Sequence, residues 1–140
     1  MAELRLLIDA NVILDVLLNR KPHSDAAAQV LEYCRQNREN AFVAAHHVTT
    51  IFYLYAKDRN VETARVALLD LGSLLRIAPV DQGVIDGALA LPYGDFEDAV
   101  TMMAAVGAGA DYVIKRNPGD FRYGPLPVLS AAELLQQLEP

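Results

Sequence analysis

A chain of 140 residues, 53% hydrophobic and 21% charged, has the length for one hydrophobic core and the composition of a folded protein, which excludes a disordered one. The net charge of −6 argues against a protein that coats nucleic acid with basic surface, but leaves room for an enzyme that reaches nucleic acid through a cation, or for a basic protein partner. Uncharged stretches such as "AVTMMAAVGAGA" are too short to cross a bilayer, and no secretory signal is expected because Glu3, Arg5 and Asp9 interrupt the opening run; the lone Cys34 rules out an internal disulfide and fits a reducing cytoplasm.

The short apolar run "LRLLI" predicts a buried strand, and "NVILDVLLNR" follows a helical apolar period. "KPHSD" breaks that helix at Pro22 and offers Ser24 as the cap of the next, "DAAAQVLEYCRQNREN", whose Ala27, Val30, Leu31 and Cys34 recur at helical spacing. "AFVAA" predicts a short strand and "HHVTTIFYLYAKDRN" a helix. "VETARVALLDLGSLL" is an amphipathic helix closed around Gly72. "RIAPV" is a brief strand that Pro79 places at a strand end or sheet edge. "DQGVIDGALAL" is a helix starting at Asp81, and "YGDFEDAVTMMAAVGAGA" a turn followed by a helix with a glycine-rich end. "GAG" precedes a strand instead of following one, so it is a helix end and not a nucleotide loop. "DYVIKR" then predicts a strand, "NPGDF" a turn, "LPVL" another short strand, and "SAAELLQQL" a last helix capped by Ser130 with Glu133 three residues on. This alternation predicts one domain over residues 1–140: a three-layer α/β/α sandwich with a mainly parallel central sheet.

Sites in such sheets collect at the carboxyl ends of the strands, where strand order switches. Acids stand at those ends here: Asp9 after the first strand, Asp95, Glu97 and Asp98 at a helix start, Asn117 and Asp120 after "DYVIKR". Oxygen ligands converging there would suit Mg²⁺ or Mn²⁺. Each residue also has a purely structural reading. Asp9 is an acceptable helix cap, "DFED" is nearly a capping box, and Asn117 and Asp120 fit an ordinary turn. Arg116 lies beside the acids, and Arg20 with Lys21 ends the first helix, where capping its C-terminus is the simpler role. His46 and His47 make a poor zinc set, with no cysteine or third histidine nearby, and are read as structural or solvent-facing. Tyr53 and Tyr55 fall at core or interface spacing.

Together, "LLIDANVILDVLLNR", "DFEDAVTMMAA" and "DYVIKRNPGDF" resemble the PIN domain family, most closely its short bacterial members related to the toxin ribonucleases of toxin–antitoxin pairs. The resemblance runs from Leu4 to about Leu135. It implies an α/β/α fold and a Mg²⁺- or Mn²⁺-dependent endoribonuclease that hydrolyses RNA phosphodiesters, pairs with a small antitoxin and forms a homodimer. It assigns the catalytic positions to Asp9, Asp95, Asp98, Asn117 and Asp120, with Asp9 and Asp98 as direct metal ligands; Arg116 and Asn11, by their place beside these residues, are the candidate RNA contacts. Two departures stand out. The helix after the second strand carries Thr49 and Thr50 where the family usually places a Glu, and "KRN" replaces Thr-Arg-Asn or Thr-Arg-Asp, putting Lys115 near the metal position. An inward Lys115 would pair with Asp9 and Asp98 and compete with the ion; an outward one is an ordinary surface lysine. Fewer acids imply weaker metal affinity and reduced activity, and open the alternative of a weak or inactive PIN-like module that binds RNA or a protein partner. A haloacid-dehalogenase-like phosphatase would need a second Asp where Asn11 stands. A receiver-like domain would need an acid cluster after the first strand and a central Asp, which are absent.

Overall fold

The computed structural model describes residues 3–118 and 124–139. The chain begins with β1 (Leu6–Ile8), whose three residues are all buried because helices cover both faces of the sheet. Side chains alternate along a strand, so Leu6 and Ile8 enter one core and Leu7 the other. The first core gathers Val12, Ile13 and Leu14 of α1 (Ala10–Leu17), Val30 and Cys34 of α2 (Ser24–Gln36), Ile51 of α3 (Ala45–Asp58) and Leu134 of α7 (Ala131–Leu138). The second places Leu7, with Phe42 and Ala44 of β2 (Ala41–Ala44), against α5 (Gln82–Ala90) and α6 (Phe96–Gly107). Alanines 99, 104 and 105 line the inner face of α6 and let that helix approach the sheet closely. Each core Leu or Ile contributes roughly 1.5–3 kcal/mol by leaving water, so burial on two faces of one strand dominates the stability of this region. The three-layer α/β/α arrangement is the one expected from the alternation of elements.

Five strands pair in parallel in the order β3-β2-β1-β4-β5, where β3 is Arg76–Ala78, β4 is Tyr112–Ile114 and β5 is Val128–Leu129. The strand carrying Pro79 just beyond its end is thus an edge strand. From β1 the sheet grows one way through β2 and β3 and the other way through β4 and β5. The order therefore reverses between β1 and β4, and the crevice beyond their carboxyl ends is the natural binding position. Asp9 and Lys115 are the first residues beyond those two strands. The Asp9 N–H donates to the Ile114 carbonyl at 2.9 Å, which ties the two strand ends together.

Helix starts follow the capping chemistry of the sequence at most positions. Asn60 caps α4 (Val61–Leu71), Asp81 caps α5, and Ser130 with Glu133 completes a reciprocal capping box on α7. Gly109 ends the glycine-rich turn after α6 at φ 72°, a conformation that favours glycine. Ser24 departs from expectation. It is the first residue of α2, buried, with no hydrogen bond to its hydroxyl among the described residues. His23 before it already has helical dihedrals (φ −76°, ψ −27°), so no extended residue stands there to cap. The strand "DYVIKR" is also shorter than expected. The Lys115 N–H still donates to Leu129 at the end of β5, but Arg116 has left the sheet.

Candidate active site

Asp9 has extended backbone (φ −67°, ψ 151°), and its Oδ2 accepts a hydrogen bond from the Asn11 N–H at 3.1 Å, so it caps α1. Its residue is only 3% exposed. Its second oxygen, Oδ1, carries no hydrogen bond among the described residues and faces His47 Nε2 at 4.0 Å. The capping reading of this residue therefore holds, on one oxygen only.

Asp95 caps α6 by accepting from the Asp98 N–H at 3.2 Å. That places Asp98 in the first helical turn, where the positive end of the helix dipole favours a carboxylate. Instead of closing a capping box, Asp98 turns its Oδ1 to Lys115 Nζ at 3.3 Å. Of the two orientations open to Lys115, the inward one is found, and its partner is Asp98. Burial pushes the Asp98 carboxyl pKa up, the Lys115 ammonium pulls it down, and the negative charges of Asp95 and Asp9 raise it again. The charge of Asp9, the smallest of these effects, is felt at Asp98 across the crevice.

The inner wall of the crevice comes from α3. His46 and His47 lie just beyond the carboxyl end of β2, with ring centroids 4.2 Å apart. Their Nε2 atoms approach Thr101 Oγ1 at 3.3 and 3.2 Å, and the Thr101 hydroxyl donates to the Glu97 carbonyl at 2.9 Å. His47 is 1% exposed, and its Nε2 also stands 3.5 Å from Glu97 Oε1. Burial, then the neighbouring His47, lowers the His46 pKa, against a smaller opposing effect of Glu97. Sequence reasoning counted Glu97 among the strand-end acids without giving it a role, read His47 as structural or solvent-facing, and did not single out Thr101. Applying the strand-end rule to β2 as well as to β1 and β4 would have found the histidines.

The remaining candidates are more dispersed. Asp95 and Asn117 are exposed, Thr50 is half-buried on α3, and Asp120 lies outside the described residues. Arg116 turns towards α1, where its Nε and Nη2 grip both oxygens of Asp15 in a fork; the Nε contact is 3.1 Å. Arg20 joins this pair at 3.7 Å from Asp15 and also donates to Asn11 Oδ1 at 3.4 Å. Arg116 and Asn11 are thus parts of one network anchored on a buried carboxylate. Lys21 pairs with Asp25 instead of capping α1.

Among the described residues, no three His, Cys, Asp or Glu side chains are gathered into a ready-made metal cage. What the crevice offers a divalent cation is charge: an Asp9 oxygen without a hydrogen bond among the described residues, and a half-buried Asp98 crowded by two other acids. Those residues fit a hard cation held by two carboxylates and water.

The PIN domain family model matches residues 5–118, from the start of β1 to beyond the end of β4. The chain belongs to the PIN domain family. Solved structures of the same fold include a toxin–antitoxin complex from Klebsiella pneumoniae, 21% identical with a TM-score of 0.70, covering 90% of this chain and 97% of the other. DNA-bound VapBC from Salmonella typhimurium is 16% identical with a TM-score of 0.69 and coverage of 92% and 99%. VapC20 of Mycobacterium tuberculosis, described as a sarcin–ricin-loop-cleaving toxin, is 13% identical with a TM-score of 0.66 and coverage of 86% and 95%. Identities this low establish a common PIN fold. No curated protein matches the sequence significantly.

Proposed function

We propose that this PIN protein is a metal-dependent endoribonuclease, a single domain over residues 1–140, acting as the toxin of a cytoplasmic toxin–antitoxin pair. The observation that carries this reading is the approach of Asp9 and Asp98 in the β1/β4 crevice, with no hydrogen bond to Asp9 Oδ1 among the described residues. Structural relatives described as toxin–antitoxin complexes support a small antitoxin partner. A homodimer follows from the family resemblance, and Tyr53, 63% exposed, is available to its surface.

Bound Mg²⁺ or Mn²⁺ supplies polarisation of the scissile phosphodiester and acidification of an attacking water. Asp9 and Asp98 are the residues that would hold the ion. Asp95 fixes the start of α6 and so the direction of Asp98, while Asn117 and Asp120 would orient the attacking water. The Lys115 ammonium, in contact with Asp98, would meet a phosphate oxygen as substrate enters. Arg116, already bound to Asp15, would offer its remaining N–H groups to the RNA backbone from a fixed position.

One observation favours the second reading, a weak or inactive PIN-like module that binds RNA or a protein partner: the ammonium of Lys115 answers the charge of Asp98. An RNase assay with Mn²⁺, with EDTA and with the Asp98→Asn variant decides between them. Cleavage that EDTA and Asp98→Asn both abolish supports the enzyme. Wild-type protein that neither cleaves RNA nor binds Mn²⁺ or Mg²⁺ in calorimetry establishes the module.

A further inference from the structure

Arg116 uses only one edge of its guanidinium on Asp15. A guanidinium carries five N–H donors in a planar fork. Here Nε and Nη2 donate to Asp15, and Nη1 makes no hydrogen bond among the described residues. The edge formed by Nη1 and Nη2 is therefore open, and its geometry matches two oxygens of one phosphate. Arg116 also lines a cavity of about 250 Å³, together with Asp15, Pro22, His23, Ala131 and Ala132. That volume is many times the roughly 30 Å³ of a water molecule, so the cavity has room for more than solvent. Its charge favours an anion. Asp15 is the one acid of the described lining, both its oxygens are held by Arg116, and Arg20 stands 3.7 Å from Oδ1. Two guanidinium groups against one carboxylate leave a surplus of positive charge. The walls include the first turns of α2 and α7, whose dipoles add to it. The acids of those turns are engaged elsewhere: Asp25 pairs with Lys21, and Glu133 Oε1 accepts from the Ser130 N–H.

Lys115 and Arg116 are consecutive, yet they leave the end of β4 for opposite layers. Lys115 reaches Asp98 on α6, and Arg116 reaches Asp15 on α1. The cavity therefore stands on the α1, α2 and α7 side of the sheet, whereas Asp98 belongs to the other side. A phosphate inside it is not the one that meets the acids. We propose that this cavity is a phosphate subsite, which takes a phosphate of the bound RNA strand other than the scissile one on the open edge of Arg116, with His23 beside it. The proposal rests on the reading that the substrate is RNA. A strand crossing the carboxyl edge of the sheet is then held at two fixed points, one in each layer.

The test is binding of a single-stranded RNA to the full chain in EDTA, read by fluorescence anisotropy. Ala132→Glu puts a carboxylate on the cavity wall, at an exposed residue in the first turn of α7, where the helix dipole favours an acid. It is expected to weaken binding about tenfold, the scale of one lost charge-assisted hydrogen bond, and to lower the salt slope by about 0.7, one phosphate contact fewer. Gln136→Glu adds the same charge one turn further along α7, at an exposed residue outside the described lining, and should cost less than about twofold. Strands carrying a single uncharged methylphosphonate linkage then locate the contact. One linkage, other than the one cleaved with Mn²⁺, should weaken binding by wild type and leave binding by Ala132→Glu unchanged, because both changes remove the same interaction. If Ala132→Glu does not fold, Ala132→Lys carries the test, with tighter binding expected and unchanged binding overturning the subsite. Equal effects of Ala132→Glu and Gln136→Glu, or no linkage of that kind, overturn the subsite alone, since wild type still binds RNA. Wild type that binds no RNA overturns the substrate reading, and the subsite with it.

Discussion

Asp9 and Asp15 belong to the same short stretch of chain, one capping α1 and the other inside it, and both are buried, at 3% and 1% exposure. Their surroundings are opposite. Asp15 is gripped on both oxygens by Arg116 and approached by Arg20, so its charge is answered by two guanidinium groups. Asp9 has a backbone N–H on one oxygen and an imidazole at 4.0 Å from the other; among the described residues no lysine or arginine is in direct contact with it, and Arg116 feels its charge only from a distance. A carboxylate matched by cations of the chain ties elements together, here α1 to the segment after β4. One left unmatched at a sheet crevice is suited to a cation from outside. Burial alone does not separate a structural acid from a functional one; the charge opposite it does.

The sharpest way to break this comparison is to replace each carboxylate by its amide. Asp15→Asn strips the partner from a partly buried Arg116 and is expected to lower stability by about 3 kcal/mol, the low end for a broken buried pair, since that arginine keeps some solvent contact. Asp9→Asn keeps a capping side chain and removes an unmatched charge, so urea unfolding should move by less than about 1 kcal/mol. Mn²⁺-dependent RNA cleavage should respond in reverse order, abolished by Asp9→Asn and retained in the folded fraction of Asp15→Asn. If Asp9→Asn proves the less stable variant, the distinction between the two sites collapses.

A smaller effect is expected at Lys115, among the described residues the one cation in direct contact with a proposed ligand. Lys115→Thr removes the ammonium from Asp98, and calorimetry should show Mn²⁺ binding roughly five- to tenfold tighter, the equivalent of about 1 kcal/mol between unit charges in watery surroundings. Unchanged affinity would show that lysine and metal do not compete.

The smallest effect is in pH dependence. Burial and the adjacent His47 hold the His46 pKa below its ordinary value of 6.5. The unfolded chain therefore binds more protons than the folded one between that depressed value and 6.5. Stability from this group is complete above pH 6.5 and is lost as pH falls through the depressed value. His46→Gln should flatten the decline of melting temperature on the acid side of neutrality; an identical profile in wild type and variant would contradict it.

The order of strands and helices was legible because each depends on neighbours within one or two turns: apolar period, capping side chains at Asp81, Asp95 and Ser130, and short apolar runs for strands buried on both faces. Ser24 failed as a cap because the preceding residues had already begun to turn, a backbone property that its hydroxyl does not reveal. The acids Asp9 and Asp98 could be placed on one edge by the rule for parallel sheets. Their partners could not. Whether Lys115 faced inward, whether Arg116 was free or bound, and whether two adjacent histidines faced solvent or the crevice all turned on which side chains meet across the layers.

From its own residues the sequence determined the α/β/α architecture and the edge of the sheet where the acids stand, since periodicity and strand-end position are local properties; the family came from the resemblance of three motifs. Only the tertiary structure decided which acid, among the described residues, has no cation in direct contact. That outcome depends on the register of β1 against β4 and the seating of α3 and α6 beside them, which bring Lys115 to Asp98, Arg116 to Asp15, and His47 with Glu97 to the open side of Asp9.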